Sequence, residues 1–161
     1  MKKLLVFLLG IMVMAAVTAG CGGDNKSDGK PAAQKFITIA TGGTSGTYFP
    51  LGGALADILN KNVPGCNASA QSTGASVANV NLLQQNKVDI AFIQNDIAYY
   101  AANGTEMFKD KKVSGIRGLA TLYPETVQIV TLKKSGIKDV ADFRGKRIAV
   151  GAAGSGTEAN A

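Results

Sequence analysis

The sequence has no histidine and only two cysteines, Cys21 and Cys66. Without histidine the usual proton-transfer side chain near neutral pH is missing, and Ser45 and Ser155 have no evident base to activate them. No G-x-S-x-G stretch is present. If Cys21 carries lipid, Cys66 has no partner, so no disulfide, metal site or thiol chemistry is expected, and Cys66 reads as a small half-buried residue near a strand start. The nucleotide P-loop ending is also missing: its Gly-Lys-Ser/Thr positions hold Gly46-Thr47-Tyr48 and Gly156-Thr157-Glu158, with no lysine to reach phosphates. The dinucleotide pattern G-x-G-x-x-G is not met. Basic residues are scattered apart from Lys109, Lys111 and Lys112, without the interleaved aromatics of a nucleic-acid surface. Asp96 and Glu158 are the only carboxylates near expected loops, and capping of helix starts accounts for both. A catalytic reading fares poorly against these absences, and no cofactor and no nucleic-acid partner are expected.

What is present begins with an export signal. Lys2 and Lys3 precede the apolar run LLVFLLGIMVMAAV, which is short for a membrane span and ends in small residues. Residues 1–20 therefore read as a signal peptide. Val17-Thr18-Ala19-Gly20-Cys21 resembles the bacterial lipobox, in which the cysteine is lipidated and becomes the new N-terminus. Thr18 departs from the Leu preferred three residues before that cysteine, and ordinary cleavage beside an incidental cysteine is the alternative. Residues 21–35 are small and polar, unable to bury a core, and read as a lipidated cysteine and a flexible tether to a membrane. Of the net charge of +6, Lys2 and Lys3 belong to the signal. No further segment has the length of a membrane span.

Strand and helix patterns then alternate. FITIAT (36–41) reads as a buried strand. Leu51, Leu55, Ile58 and Leu59 fall at helical spacing, and Val63-Pro64-Gly65 stops that helix. CNASAQS is a weaker strand, and Thr73-Gly74-Ala75-Ser76 turns into a helix with Val77, Val80 and Leu83 on one face. VDIAFIQN (88–95) reads as a strong strand, followed by a short helix that Gly104 ends. GIRGLATLY and ETVQIVTL are apolar runs separated by Pro124. SGIKDVADFRGKRIAVG predicts a short helix leading into a strand over 146–150. The order implies an α/β fold with a mainly parallel sheet.

Three glycine loops, GGTSGTY, STGAS and GAAGSGTE, each stand between an expected strand and an expected helix. Backbone N–H groups, hydroxyls and a helix dipole at such a place suit an anion, and neutral donors suit a carboxylate better than a polyphosphate. A single loop of this kind is equally explained by tight turns with Ser and Thr as caps. Three on one sheet edge favour a shared ligand cleft. Tyr48 and Tyr123 are placed to line its rim, and Tyr99 and Tyr100 read as core residues.

The blocks GGTSGTYFPLGGALADILN, STGASVANVNLLQQNKVDIAFIQNDIAYYAANG, LATLYPETVQIV and SGIKDVADFRGKRIAVGAAGSGTEANA, in this order, resemble the TAXI-type solute receptors of tripartite ATP-independent periplasmic (TRAP) transporters. The resemblance spans Phe36 to Ala161. Ala75 stands where that family usually has a second glycine, and Ala153 where proline is common. The resemblance implies an α/β, type II periplasmic-binding-protein-like fold of two lobes, with 36–125 covering most of the first and 126–161 the start of the second. The pattern reads as cut within a helix that has just begun. It also implies capture of a small organic anion, a glutamate-like amino acid or a dicarboxylate, and its delivery to TRAP membrane permease subunits. The ligand contacts carried over are Thr44, Ser45, Gly46, Thr47 and Tyr48 of the first loop, Thr73, Gly74 and Ser76 of the second, and Gln94. Tyr123 and the residues Gly154, Ser155, Gly156 and Thr157 complete the set. The expected location is the periplasm or cell surface, anchored to the bilayer through Cys21. A ligand-binding sensory or surface lipoprotein, or an enzyme on the same bilobal fold, are the alternatives.

Overall fold

The computed structural model describes residues 34–161. The expected signal peptide, the lipidated Cys21 and nearly all of the tether lie outside the described residues.

The first expected strand forms as β1 (Lys35–Ala40), whose β-branched and apolar residues suit a covered sheet position. The weaker one forms β2 (Cys66–Gln71), with half-buried Cys66 at its start. A third strand, β3 (Ile90–Ala91), completes a parallel sheet of order β2-β1-β3. Lys35 pairs with Cys66 and Ala40 with Gln71 on one side of β1, and Ile39 pairs with Ile90 on the other. The expected strand over 88–95 thus shrinks to two residues. The Asp89 carboxylate accepts the Thr38 N–H at 2.8 Å, where a strand carbonyl would otherwise sit, while the Asp89 N–H donates to the Thr38 carbonyl. On the far side the chain turns at once into a helix.

Parallel strands need crossovers, and helices supply them. Helix α1 (Tyr48–Asn62) ends where Val63-Pro64-Gly65 was expected to stop it, with Val63 as its extended C-cap and Gly65 at φ +73°. It packs Ala56 with Ile39, Ala68 and Phe92 into one core cluster. Its Gly52 lies so close to the end of β1 that an added methyl would overlap Thr41 Cγ2. Asn60 also shields the sheet edge: its amide donates to the Ala68 carbonyl (3.0 Å) and accepts the Ala68 N–H (2.6 Å), as a neighbouring strand would. Helices α2 (Ser76–Gln84) and α3 (Asn95–Asn103) build a second cluster from Val80, Ile97 and Ala101, closed by Phe108 and Val113. Gly104 ends α3 in the left-handed conformation that a residue without Cβ adopts freely.

Beyond Val113 the expectations fare differently. Residues 114–131 make no backbone–backbone hydrogen bond among the described residues. Asp139 and Asp142 form a capping box around a 3₁₀ turn, Val140–Phe143, where a short helix was expected. The strand expected over 146–150 does not form: Lys146 donates back to the Phe143 carbonyl, and among the described residues no ladder partner faces positions 147–150. A final short helix, α4 (Gly156–Ala159), starts at Ser155. Among the described residues no helix is long and apolar enough to cross a membrane.

Candidate functional site

The carboxyl ends of β1 and β2 are tied together by polar groups drawn from loop residues. Thr41 is fully buried, and its hydroxyl donates to the Gln71 carbonyl at 2.7 Å. Asn79, also fully buried, donates to the carbonyls of Thr41 (2.7 Å) and Phe92 (2.8 Å) and accepts from the Thr73 hydroxyl (2.6 Å). One amide thus joins the loops after all three strands. Buried polar groups that are fully paired hold a loop rigidly, because each alternative leaves a carbonyl without a donor.

Over this hub lies a cavity of about 920 Å³. Of the residues expected to touch a ligand, Gly46, Thr47, Tyr48, Ser76, Gln94 and Tyr123 line it. Ser155, Gly156 and Thr157 line it as well, although they follow no strand. Thr44 and Ser45 are exposed and outside the lining. Thr73, Gly74 and Gly154 are likewise outside it, and each has a packing task.

Gly154 shows that task most clearly. Its carbonyl accepts the N–H groups of Val77 (3.0 Å) and Ala78 (3.1 Å) in the first turn of α2. The donors that the STGAS loop was expected to offer an anion are therefore partly engaged by the chain itself. Gly74 permits the approach, since a Cβ there would lie 2.6 Å from the Ala153 carbonyl oxygen. The same segment is fastened by Asn160, whose amide donates to Asp96 at 2.6 Å. Ser155 is buried and caps α4 by accepting the Glu158 N–H at 3.0 Å, while Glu158 accepts the Gly154 N–H at 2.7 Å. Asp96 and Glu158 thus serve helix starts and loop fastening. The third loop reaches the site by docking on α2, not by ending a strand.

Ala75 joins the first-turn geometry with backbone angles of φ +74° and ψ −144°. Only glycine visits this region without strain. Its N–H is held by the Thr73 hydroxyl at 3.0 Å, which fixes the turn in that conformation. Gln94 contributes a different tension. Its backbone N–H donates to the Ser76 hydroxyl at 3.0 Å, but its side-chain Oε1 is buried with no donor, pressed against Gly156.

A residue not among the expected contacts completes the rim. Glu125 accepts from the Tyr48 hydroxyl through Oε2 (3.1 Å) and from the Tyr123 hydroxyl through Oε1 (2.9 Å). Burial, with the adjacent Glu125 charge, holds the Tyr48 phenol well above its ordinary range against an opposing contribution from Ser76. Burial and the same carboxylate push Tyr123 up to about 12. Both phenols thus stay protonated and act as donors. Tyr48 also packs its ring on Phe92, 5.4 Å between centroids. Glu125 follows the Tyr123-Pro124 pair directly, which was the available signal. Its contact with Tyr48 spans 77 positions and was not legible locally.

The cavity walls therefore present hydroxyl and backbone donors, two phenols, one carboxylate and, farther round, Lys146 and Arg147. Such a set offers donors, acceptors and charges of both signs to a small polar molecule. The sequence matches the NMT1-like family over residues 39–161, most of the chain. That family groups periplasmic-binding-protein-like solute-binding proteins, typically extracytoplasmic, which take small ligands and work with transporters. The chain belongs to the NMT1-like family and is, in general terms, a solute-binding protein.

Proposed function

We propose that the protein is an extracytoplasmic receptor that captures a small organic anion, a glutamate-like amino acid or a dicarboxylate, and hands it to a TRAP-type membrane permease in the manner of TAXI receptors. In this reading residues 36–125 belong to one lobe and 126–161 to a second, and the ligand lies between them. The observation that carries it is the meeting of Thr47, Tyr48, Ser76, Tyr123 and Ser155–Thr157 around one cavity. The neutral donors of Thr47, Ser76 and Ser155–Thr157 suit a carboxylate without demanding a polyphosphate, while the two phenols, engaged with Glu125, line the rim. Titration calorimetry of the purified protein against a panel of amino and dicarboxylic acids tests the reading. Dissociation constants in the micromolar range or below are expected, and no affinity better than about millimolar would overturn it.

The anchor is a separate part of the proposal. A lipid on Cys21 holds the receptor at the membrane, since acyl chains contribute about 0.8 kcal/mol per buried CH₂. Cys21→Ser is expected to move the exported protein from the membrane to the soluble fraction. Continued membrane fractionation of that variant would rule the lipid anchor out.

A further inference from the structure

Glu125 is the one acidic side chain lining the cavity among the described residues. Tyr48 and Tyr123 hold its carboxylate from two sides. A carboxylate offers about four acceptor positions, so two phenol donors leave about half of that capacity free. Positive charge for a ligand carboxylate is available elsewhere in the lining, from Lys146 and Arg147. A ligand made only of carboxylates brings further acceptors and a second negative charge towards Glu125. A ligand with an ammonium group brings three donors and the complementary charge.

We propose that Glu125 is a specificity-determining residue that selects a ligand bearing a protonated amine beside its carboxylate, such as an α-amino acid, over a dicarboxylate of equal length. The selection rests on the receptor reading above and narrows its ligand class. A dicarboxylate brings a second negative charge towards Glu125 and no donor for its free acceptor positions, so repulsion opposes it where an ammonium group would be attracted.

Calorimetry with glutamate and glutarate, which differ only in the α-ammonium group, reads the preference directly. Glutamate is expected to bind at least about tenfold more tightly, the discrimination that one charge-assisted hydrogen bond provides. Glu125→Gln is expected to bring the two affinities within about threefold, and Glu125→Asp to keep their order. Glu125→Ala serves as a second neutral variant, and the ligand-free melt of each checks folding. Glutarate binding as well as glutamate to the parent protein would overturn the selection and leave the receptor reading standing. An unchanged ratio in the neutral variants would remove Glu125 from the role. Binding of neither acid would overturn the selection, and failure of the whole panel of amino and dicarboxylic acids would overturn the receptor reading with it.

Discussion

Residues 35–113 and residues 114–150 are written in similar apolar letters and fold to different degrees. In the first region β1, β2 and β3 satisfy one another, and Ile39, Val80 and Ile97 are fully buried. In the second, Val127, Ile129 and Val130 follow the same β-branched habit, yet Ile129 is 61% exposed and Val130 87%. The difference lies in partners. A strand exists only as part of a ladder, because its N–H and C=O groups must find hydrogen bonds outside the segment. Among the described residues the second region has none. What it does have is attachment at a point, Glu125 to Tyr48, and the segment just after it is fastened by Gly154 to α2 and by Asn160 to Asp96.

Ile97 offers the hardest test of that contrast. It is fully buried between α2, α3 and Phe108, so Ile97→Ala removes its transfer energy and leaves a cavity. A loss of about 2–5 kcal/mol is expected in chemical denaturation. A loss below about 1 kcal/mol would mean that the first region is not the packed unit described. Asn79→Ala comes next, at about 1–3 kcal/mol, because the Phe92 carbonyl loses its donor in a buried place, whereas the Thr73 hydroxyl can still donate to the Thr41 carbonyl. Asn79→Asp is no rescue, since the carboxylate cannot donate to the two carbonyls.

The legible parts of the fold were those set by neighbours in sequence. Val63-Pro64-Gly65 and Gly104 stop their helices through backbone preferences that a few residues carry. The three loops were placed by glycines and hydroxyls, and most of their expected contacts do line one cavity. Illegible parts depended on distant partners. Asp89 truncates β3 by capping Thr38, 51 positions away. Asn79, which no motif singled out, is the hub beneath all three loops. Gly74 and Gly154, expected among the ligand contacts, lie outside the cavity lining and dock one loop on another.

Ala75 lets the same comparison be sharpened in the stabilising direction. Its left-handed backbone is enforced by Thr73 and by the contacts of α2, so the strain is stored within the well-packed region. Ala75→Gly relieves it, with some offset from the freer unfolded chain. A net gain of about 1 kcal/mol is expected from the denaturation midpoint. A destabilised variant would show that Ala75 sits comfortably.

Alkaline pH separates the point attachment at Glu125 from the core. The folded-state pKa of Tyr123 is about 12 against an ordinary 10.0. Below pH 10 the phenol is protonated in both folded and unfolded chains, and the full contribution is present. As pH rises from 10 towards 12 the unfolded chain releases its proton first, so stability falls through that window. Tyr48, raised further, extends the loss to higher pH. Tyr123→Phe is expected to flatten part of the decline in melting temperature above pH 10, and absorbance at the tyrosinate band to lose a late-titrating component. Because Tyr123 is only partly buried the effect is small. An identical decline in the variant would detach these phenols from folding.

The smallest expected effect is the most diagnostic of the second region. Ile129 belongs to a run with no ladder and no core cluster among the described residues, and it is mostly exposed. Replacing it by threonine keeps the β-branch, adds a hydroxyl that water satisfies, and removes little buried apolar area. Ile129→Thr should therefore change the denaturation free energy by less than about 0.5 kcal/mol, with an unchanged dependence on denaturant. The parallel change at a packed position, Val80→Thr, buries an unpaired hydroxyl and should lose about 1–3 kcal/mol. If Ile129→Thr lost as much as Val80→Thr, the side chain would have to be covered in solution, and the two regions would share one packed core.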